Sequence, residues 1–62
     1  MTGADFRAWR LRCGLTVPAA AKLLGVSRRT IFNLQKSFEV PLTTAIAADA
    51  VEIEINHRKK VA

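Results

Sequence analysis

The chain has 62 residues and a single cysteine, which together exclude a second domain, an internal disulfide and a zinc site built from several thiolates. Half of its residues are apolar, alanine is frequent and tyrosine is absent, so an all-α fold is expected. The formal net charge is +5, which suits a nucleic acid partner about as well as an ordinary solvated basic surface. Because a chain this short is only marginally stable alone, oligomerisation is also expected.

The positive charge lies mainly in the N-terminal part of the chain. Residues 1–38 carry seven lysines and arginines against Asp5 alone, whereas residues 39–62 carry three against four acidic residues. This distribution is the electrostatic footprint expected of a part that binds nucleic acid. Because the N-terminus has no long apolar run, no signal peptide or membrane span is predicted, and the expected location is the cytoplasm, in association with the nucleoid.

Residues 2–13 are predicted to form the first helix. They begin with a threonine, a candidate N-cap, and Gly14 follows as the terminator. Phe6, Trp9 and Cys13 recur at steps of three and four and form the inward stripe of this helix. Trp9 is interpreted as a core residue and not as a base-stacking one, since its neighbours in the stripe are apolar.

Residues 16–38 are predicted to form two short helices around a tight turn. Thr16 caps the first of these helices, and Gly25 ends it because a left-handed backbone is least strained for glycine. Ser27 caps the second helix, which begins at Arg28.

The second helix of this segment has two different faces. Ile31, Leu34 and Phe38 follow at steps of three and four and are predicted to be buried, as is Val26 in the turn. The opposite face carries Arg28, Arg29, Phe32, Asn33 and Lys36. Two arginines, an amide, a lysine and one exposed ring suit the major groove of DNA.

The segment AAAKLLGVSRRTI resembles the helix-turn-helix of the Cro/C1-repressor family, also called the xenobiotic-response-element type. That family has a small residue in the first helix, glycine at the turn and apolar residues at three later positions. The matching residues here are Ala21, Gly25, Val26, Ile31 and Leu34. The resemblance covers roughly residues 6–42 and implies a lambda-repressor-like bundle of four to five helices that binds DNA.

By position, the resemblance implies that the N-terminal part of the second helix reads bases. The implied base-reading residues are Ser27, Arg28, Arg29, Phe32 and Asn33. An arginine fork matches guanine, an asparagine amide matches adenine, and the ring of Phe32 can press on a thymine methyl. For Phe32 the alternative is burial against the C-terminal segment. The candidate phosphate contacts are Thr16, Lys22, Thr30 and Lys36.

Arg10 marks a departure from the family pattern. In the family, an arginine at this position commonly pairs with a glutamate in the second helix, next to a tryptophan. This chain has Leu34 and Gln35 at those two places. Arg10 is therefore expected either to hydrogen-bond Gln35 or to reach a DNA phosphate.

Residues 41–56 are predicted to be the dimerisation segment. Pro41 begins a helix, one face of which carries Leu42, Ala45, Ile46, Asp49, Ala50 and Ile53, and the alanine-rich sequence favours a helix throughout. Residues 51–56 nevertheless alternate in the manner of a strand, and such a strand would have to pair with another subunit. The predicted dimer contacts are Ile46, Ala50, Val51, Ile53 and Ile55.

The last residues, 57–62, are expected to form a frayed and solvated tail. His57 stands there beside Arg58, Lys59 and Lys60, and it is interpreted as a tail residue and not as a ligand. The three cations would suit the C-terminus of a helix.

These observations predict a sequence-specific homodimeric regulator of double-stranded DNA, most often a repressor. Its two reading helices would lie about one DNA turn, roughly 34 Å, apart on an inverted-repeat operator. Phage repressors, antitoxins and small autoregulators such as the anti-CRISPR-associated repressors look like this. No catalytic, metal, cofactor or small-molecule site is predicted, so no enzymatic activity is expected. The alternatives are an accessory DNA-binding factor of the excisionase or small terminase type, and a helical protein-interaction module.

Overall fold

The computed structural model describes residues 1–61, with side chains for residues 1–58. The described residues form four helices and no strand: α1 (Gly3–Arg12), α2 (Val17–Leu24), α3 (Arg28–Lys36) and α4 (Leu42–Val61). The prediction of an all-α fold is therefore confirmed. Residues 51–56 continue α4, so the helical reading of this segment is the correct one within the single chain.

The end of α4 differs from the expected frayed tail. The helix continues through the tail region to Val61, whereas Ala62 lies outside the described residues. The side chains of Lys59 and Lys60 also lie outside them, so their expected place near the helix C-terminus is a prediction only. His57 is exposed, as predicted.

Local signals set the start of the first three helices. Thr2 and Asp5 form a capping box at α1: the Thr2 hydroxyl accepts from the Asp5 amide at 3.1 Å, and the Asp5 carboxylate accepts from the Thr2 amide at 3.1 Å. The hydroxyl of Thr16 accepts from the Ala19 amide at 3.2 Å and caps α2. The predicted cap of α3, Ser27, is confirmed in the same way.

Gly14 and Gly25 close α1 and α2 in the same manner. Both glycines have a φ of 70°, in the left-handed region that side chains disfavour. The amides of each glycine and of the next residue donate to carbonyls in the last helical turn. These bonds join Gly14 to Leu11, Leu15 to Arg10, Gly25 to Lys22 and Val26 to Ala21. This pairing satisfies carbonyls that a helix end would otherwise leave open.

The core lies where α1, α2 and α3 meet beneath α4. Its buried members are Phe6, Trp9, Ala20, Ala21, Ile31, Leu34, Val40 and Ala48. The rings of Phe6 and Trp9 stack with their centroids 5.2 Å apart, and both side chains are fully buried. The prediction that Trp9 belongs to the core is confirmed.

The first residues of the chain pack against the connection between α3 and α4. The Gly3 amide donates to the Ser37 carbonyl at 3.0 Å, and the Val40 amide donates to the Met1 carbonyl at 2.8 Å. A Cβ on Gly3 would lie 2.3 Å from the Ser37 oxygen, so only glycine fits this approach. These contacts fix the place where α3 ends and the chain turns toward α4.

Two burial predictions are wrong. Phe38 is 95% exposed because α3 ends at Lys36 and Ser37 takes an extended backbone, so helical spacing no longer applies beyond that point. Val26 is 37% exposed because α4 leaves an open hollow of about 220 Å³ beside the turn.

Candidate nucleic-acid interface

The inner face of α3 holds this helix on the body of the protein. Ile31 is fully buried and Leu34 is 8% exposed, and both share the core with Ala20 and Ala21 of α2. The amphipathic spacing seen in the sequence therefore does determine which side of α3 faces outward.

The outer face of α3 presents every residue predicted to read bases. These residues are Ser27, Arg28, Arg29, Phe32 and Asn33, and all five are exposed. Phe32 is half exposed, so the alternative of burial against the C-terminal segment does not describe its position. The α3 face thus offers two guanidinium groups, one carboxamide and one aromatic ring to a ligand.

Ser27 and Thr30 are occupied in part by capping the helix. The Ser27 hydroxyl accepts from the Thr30 amide at 3.2 Å, and the two hydroxyl oxygens lie 2.9 Å apart. One hydroxyl donates to the other, so one hydroxyl proton of the pair stays available to an external acceptor.

The four predicted phosphate contacts differ in how accessible they are. Lys22, Lys36 and Thr16 are exposed, whereas Thr30 is half-buried. Thr16 also caps α2: its hydroxyl accepts from the Ala19 amide and its carbonyl from the Ala20 amide, and Pro18 has no N–H, so at most the Val17 amide of that turn is left for a phosphate. The exposed side chains of Lys22, Lys36 and Thr16 are therefore the better candidates for holding a phosphate backbone.

The charge of the α3 face is not compensated by the described acidic side chains. Four of the five carboxylates are engaged elsewhere: Asp5 with the Thr2 amide, Glu39 with the N-terminal amine, Glu52 with Arg12 and Glu54 with Arg58. Among the described residues no carboxylate forms an ion pair with Arg28 or Arg29. Both guanidinium groups are therefore available to an external anion.

Arg10 is used inside the protein, which decides between its two predicted roles. Its Nε donates to Gln35 Oε1 at 2.8 Å, and a terminal nitrogen donates to the Leu15 carbonyl at 2.8 Å. Arg10 thereby joins α1 to the turn that follows it and to the C-terminal end of α3. It orients the helix and does not reach for a phosphate.

The pairing of Arg12 with Glu52 was not predictable from local sequence patterns, because the two residues lie 40 positions apart. Two hydrogen bonds, of 2.6 and 2.9 Å, join the guanidinium to the carboxylate. The bonds from Arg12 lower the pKa of Glu52, and the same bonds raise the pKa of Arg12. The interaction joins α4 to α1.

Two short helices around a glycine turn, the second exposing an uncompensated cationic face, define the helix-turn-helix class of DNA-binding domains. Residues 7–41, 35 of the 62 in the chain, match the family described as the homeodomain-like domain. The chain therefore belongs to the homeodomain-like helix-turn-helix family. No curated protein and no solved structure matches it.

Two further properties of the described residues bear on the site. None of the helices there is both long and apolar enough to cross a membrane. Within the same part of the chain, His, Cys, Asp and Glu side chains do not gather in groups of three that could hold a metal ion.

Proposed function

We propose that the protein is a sequence-specific regulator of transcription that binds double-stranded DNA with the outer face of α3 in the major groove. The observation that carries this proposal is the exposure of Arg28, Arg29 and Asn33 on a capped helix whose arginines pair with no described carboxylate. Arginine recognises O6 and N7 of guanine in a bidentate manner, and asparagine recognises N6 and N7 of adenine.

In this proposal, reading and positioning are divided between two sets of residues. Ser27, Arg28, Arg29, Phe32 and Asn33 contact base edges. Lys22, Lys36, Thr16 and Thr30 contact phosphates and set the register of the protein on the duplex. No residue is assigned a catalytic role, and no cofactor or small-molecule ligand is required.

The regulator acts as a homodimer on an inverted repeat, in the manner of the Cro/C1-type repressors, and represses by covering a promoter. We further propose that it is a cytoplasmic phage or bacterial autoregulator. The predicted dimer contacts lie on α4: Ile46, Ala50, Val51, Ile53 and Ile55. Ile46 and Ile53 are 59% and 69% exposed and so are available to a partner, whereas Val51 also packs against the core of its own chain.

The experiment that tests this function is selection of bound DNA from a random duplex pool, followed by binding measurements at several salt concentrations. Enrichment of an inverted repeat, with two chains bound per site, supports the proposal. Weak binding without enrichment that disappears at moderate salt contradicts it, because such binding comes from the phosphate backbone alone. A bent product that requires a recombinase or packaging enzyme would instead indicate an accessory DNA-binding factor.

A further inference from the structure

A large aromatic side chain and an apolar hollow lie side by side where α3 leads into α4. Phe38 is 95% exposed, the highest value among the large apolar side chains described. The hollow, of about 340 Å³, is lined by Met1, Glu39, Val40, Pro41, Leu42 and Ala45. Since an apolar cavity of about 150 Å³ can hold a benzene ring, this hollow has room for a phenyl group.

We propose that Phe38 of one chain occupies the hollow beside Ala45 of a second copy, and that this reciprocal contact closes the dimer. The inference rests on the homodimer of the proposed function and adds the residues that anchor it. A two-fold axis can pair a projection with a neighbouring hollow twice, because each chain supplies one projection and one hollow to the interface.

The exposed apolar surface on this side of the molecule is large enough to support such a contact. Leu42, Ile46 and Ile53 share one face of α4, which begins at Leu42 in the lining of the hollow, and they are 74%, 59% and 69% exposed. Together with Phe38 they leave on the order of 400–500 Å² of apolar surface in water. That is more than half of the roughly 800 Å² that each partner contributes to a standard protein interface.

The charges around the hollow favour a protein partner and not DNA. The acidic group at its edge, Glu39, lies 3.3 Å from the N-terminal amine, so this pair contributes little net charge. The free arginines lie instead on α3, and Arg28 begins that helix at the end away from Phe38. The residues that line the hollow thus include no lysine or arginine to hold a phosphate backbone, and Lys36, the cation nearest to Phe38 along the chain, lies at the end of α3.

The test is the dimer dissociation constant of the full chain, measured by sedimentation equilibrium for the wild type and four variants. Phe38→Ala removes the projection and Ala45→Gln fills the hollow. Phe32→Ala is the matched control, because it shortens an exposed phenylalanine on the DNA-reading face. Since Phe38 is almost fully exposed, its loss leaves the fold intact, and circular dichroism verifies this for each variant.

We expect Phe38→Ala to raise the dimer dissociation constant by on the order of 100-fold or more, because a symmetric interface contains the contact twice. Phe32→Ala is expected to stay within about twofold of the wild type, since Phe32 lies outside the proposed contact. The double variant Phe38→Ala/Ala45→Gln should dimerise no more weakly than the worse single variant, because each change alone already removes the same contact.

A Phe38→Ala chain that dimerises as tightly as the wild type would overturn the inference while leaving the proposed DNA-binding dimer in place. A wild type that occupies its selected DNA as a single chain would overturn both the inference and the homodimer. Sequence-specific reading by α3 would then still stand, so the failures of the two proposals are distinguishable.

Discussion

The indole Nε1 of Trp9 donates a 2.9 Å hydrogen bond to the backbone carbonyl of Ala48, which lies 39 residues further along the chain. Both residues are fully buried. The bond joins α1 to the middle of α4, next to the ion pair between Arg12 and Glu52. Ala48 is the one fully buried side chain among the described residues of α4, so these interactions determine where that helix lies.

Trp9→Phe is expected to destabilise the fold by about 2 kcal/mol, because it leaves a cavity and removes the donor to Ala48. For a domain of this size the melting temperature should fall by on the order of 10 °C. Urea unfolding followed by circular dichroism measures the change without relying on tryptophan fluorescence. Phe32→Leu, at an exposed ring, is the control, and equal stability of both variants would refute the role of Trp9.

The pairing of Arg12 with Glu52 predicts a pH dependence of stability. The pKa of Glu52 is lower in the folded protein than in the unfolded chain, so the carboxylate stabilises the fold above its unfolded pKa, about 4.3. That contribution is lost as the pH falls through the lower pKa of the folded state. Asp5 acts in the same direction, because hydrogen bonds from Thr2 lower its pKa.

Glu52→Gln should therefore flatten the decline of unfolding free energy below about pH 4.3, without abolishing it. The matched control is Glu54→Gln, which removes one negative charge from the same helix at an exposed pair with Arg58. Denaturant titrations between pH 3 and pH 7 provide the measurement. Identical pH profiles for the two variants would show that the Arg12 contact contributes nothing specific.

Gly3→Ala is expected to destabilise the protein although alanine is the better helix former. The gain in helix propensity is about 1 kcal/mol. Against it stands a Cβ at 2.3 Å from the Ser37 carbonyl oxygen, and relieving that overlap should cost about 1–3 kcal/mol or more. Ala4→Gly, at an exposed position in the same turn, measures the propensity effect alone. A Gly3→Ala variant more stable than the wild type would mean that the connection after α3 moves freely.

Gln35→Glu should strengthen the bond from Arg10, because it replaces a neutral acceptor by a charged one at a half-buried site. We expect a gain of about 0.5–1 kcal/mol at low ionic strength, seen as a rise in melting temperature of roughly 4 °C. The gain should shrink in high salt. Gln35→Ala should lower the melting temperature, and an unchanged value in both variants would contradict the orienting role of Arg10.

Much of the fold and of the α3 face could be predicted from the sequence because the signals are local. Thr2, Thr16 and Ser27 cap helices through bonds to residues three positions away, and Gly14 and Gly25 close helices through their own φ. The spacing of Ile31 and Leu34 likewise determines the buried side of α3, and with it the exposed side.

The remaining features depend on contacts between distant parts of the chain. The alternation in residues 51–56 predicted a possible strand, yet that segment continues α4, in which Glu52 reaches Arg12 across 40 positions. Phe38 was predicted to be buried because helical spacing was extended past Lys36, where the helix stops. The position of α4 cannot be predicted from a local pattern, and it determines how much of Val26 is exposed.

The central claim is that the N-terminal part of α3 reads DNA sequence. The most direct test measures the binding affinity of Arg29→Ala for the selected operator and for each single-base variant of that operator. Arg58→Ala is the control, because it removes an exposed cation of α4 that pairs with Glu54. We expect Arg29→Ala to lose about 1–3 kcal/mol of discrimination at one base pair in each half-site, while Arg58→Ala keeps full discrimination. Uniform weakening on all sequences by both variants would contradict the claim, since both arginines would then contribute only charge.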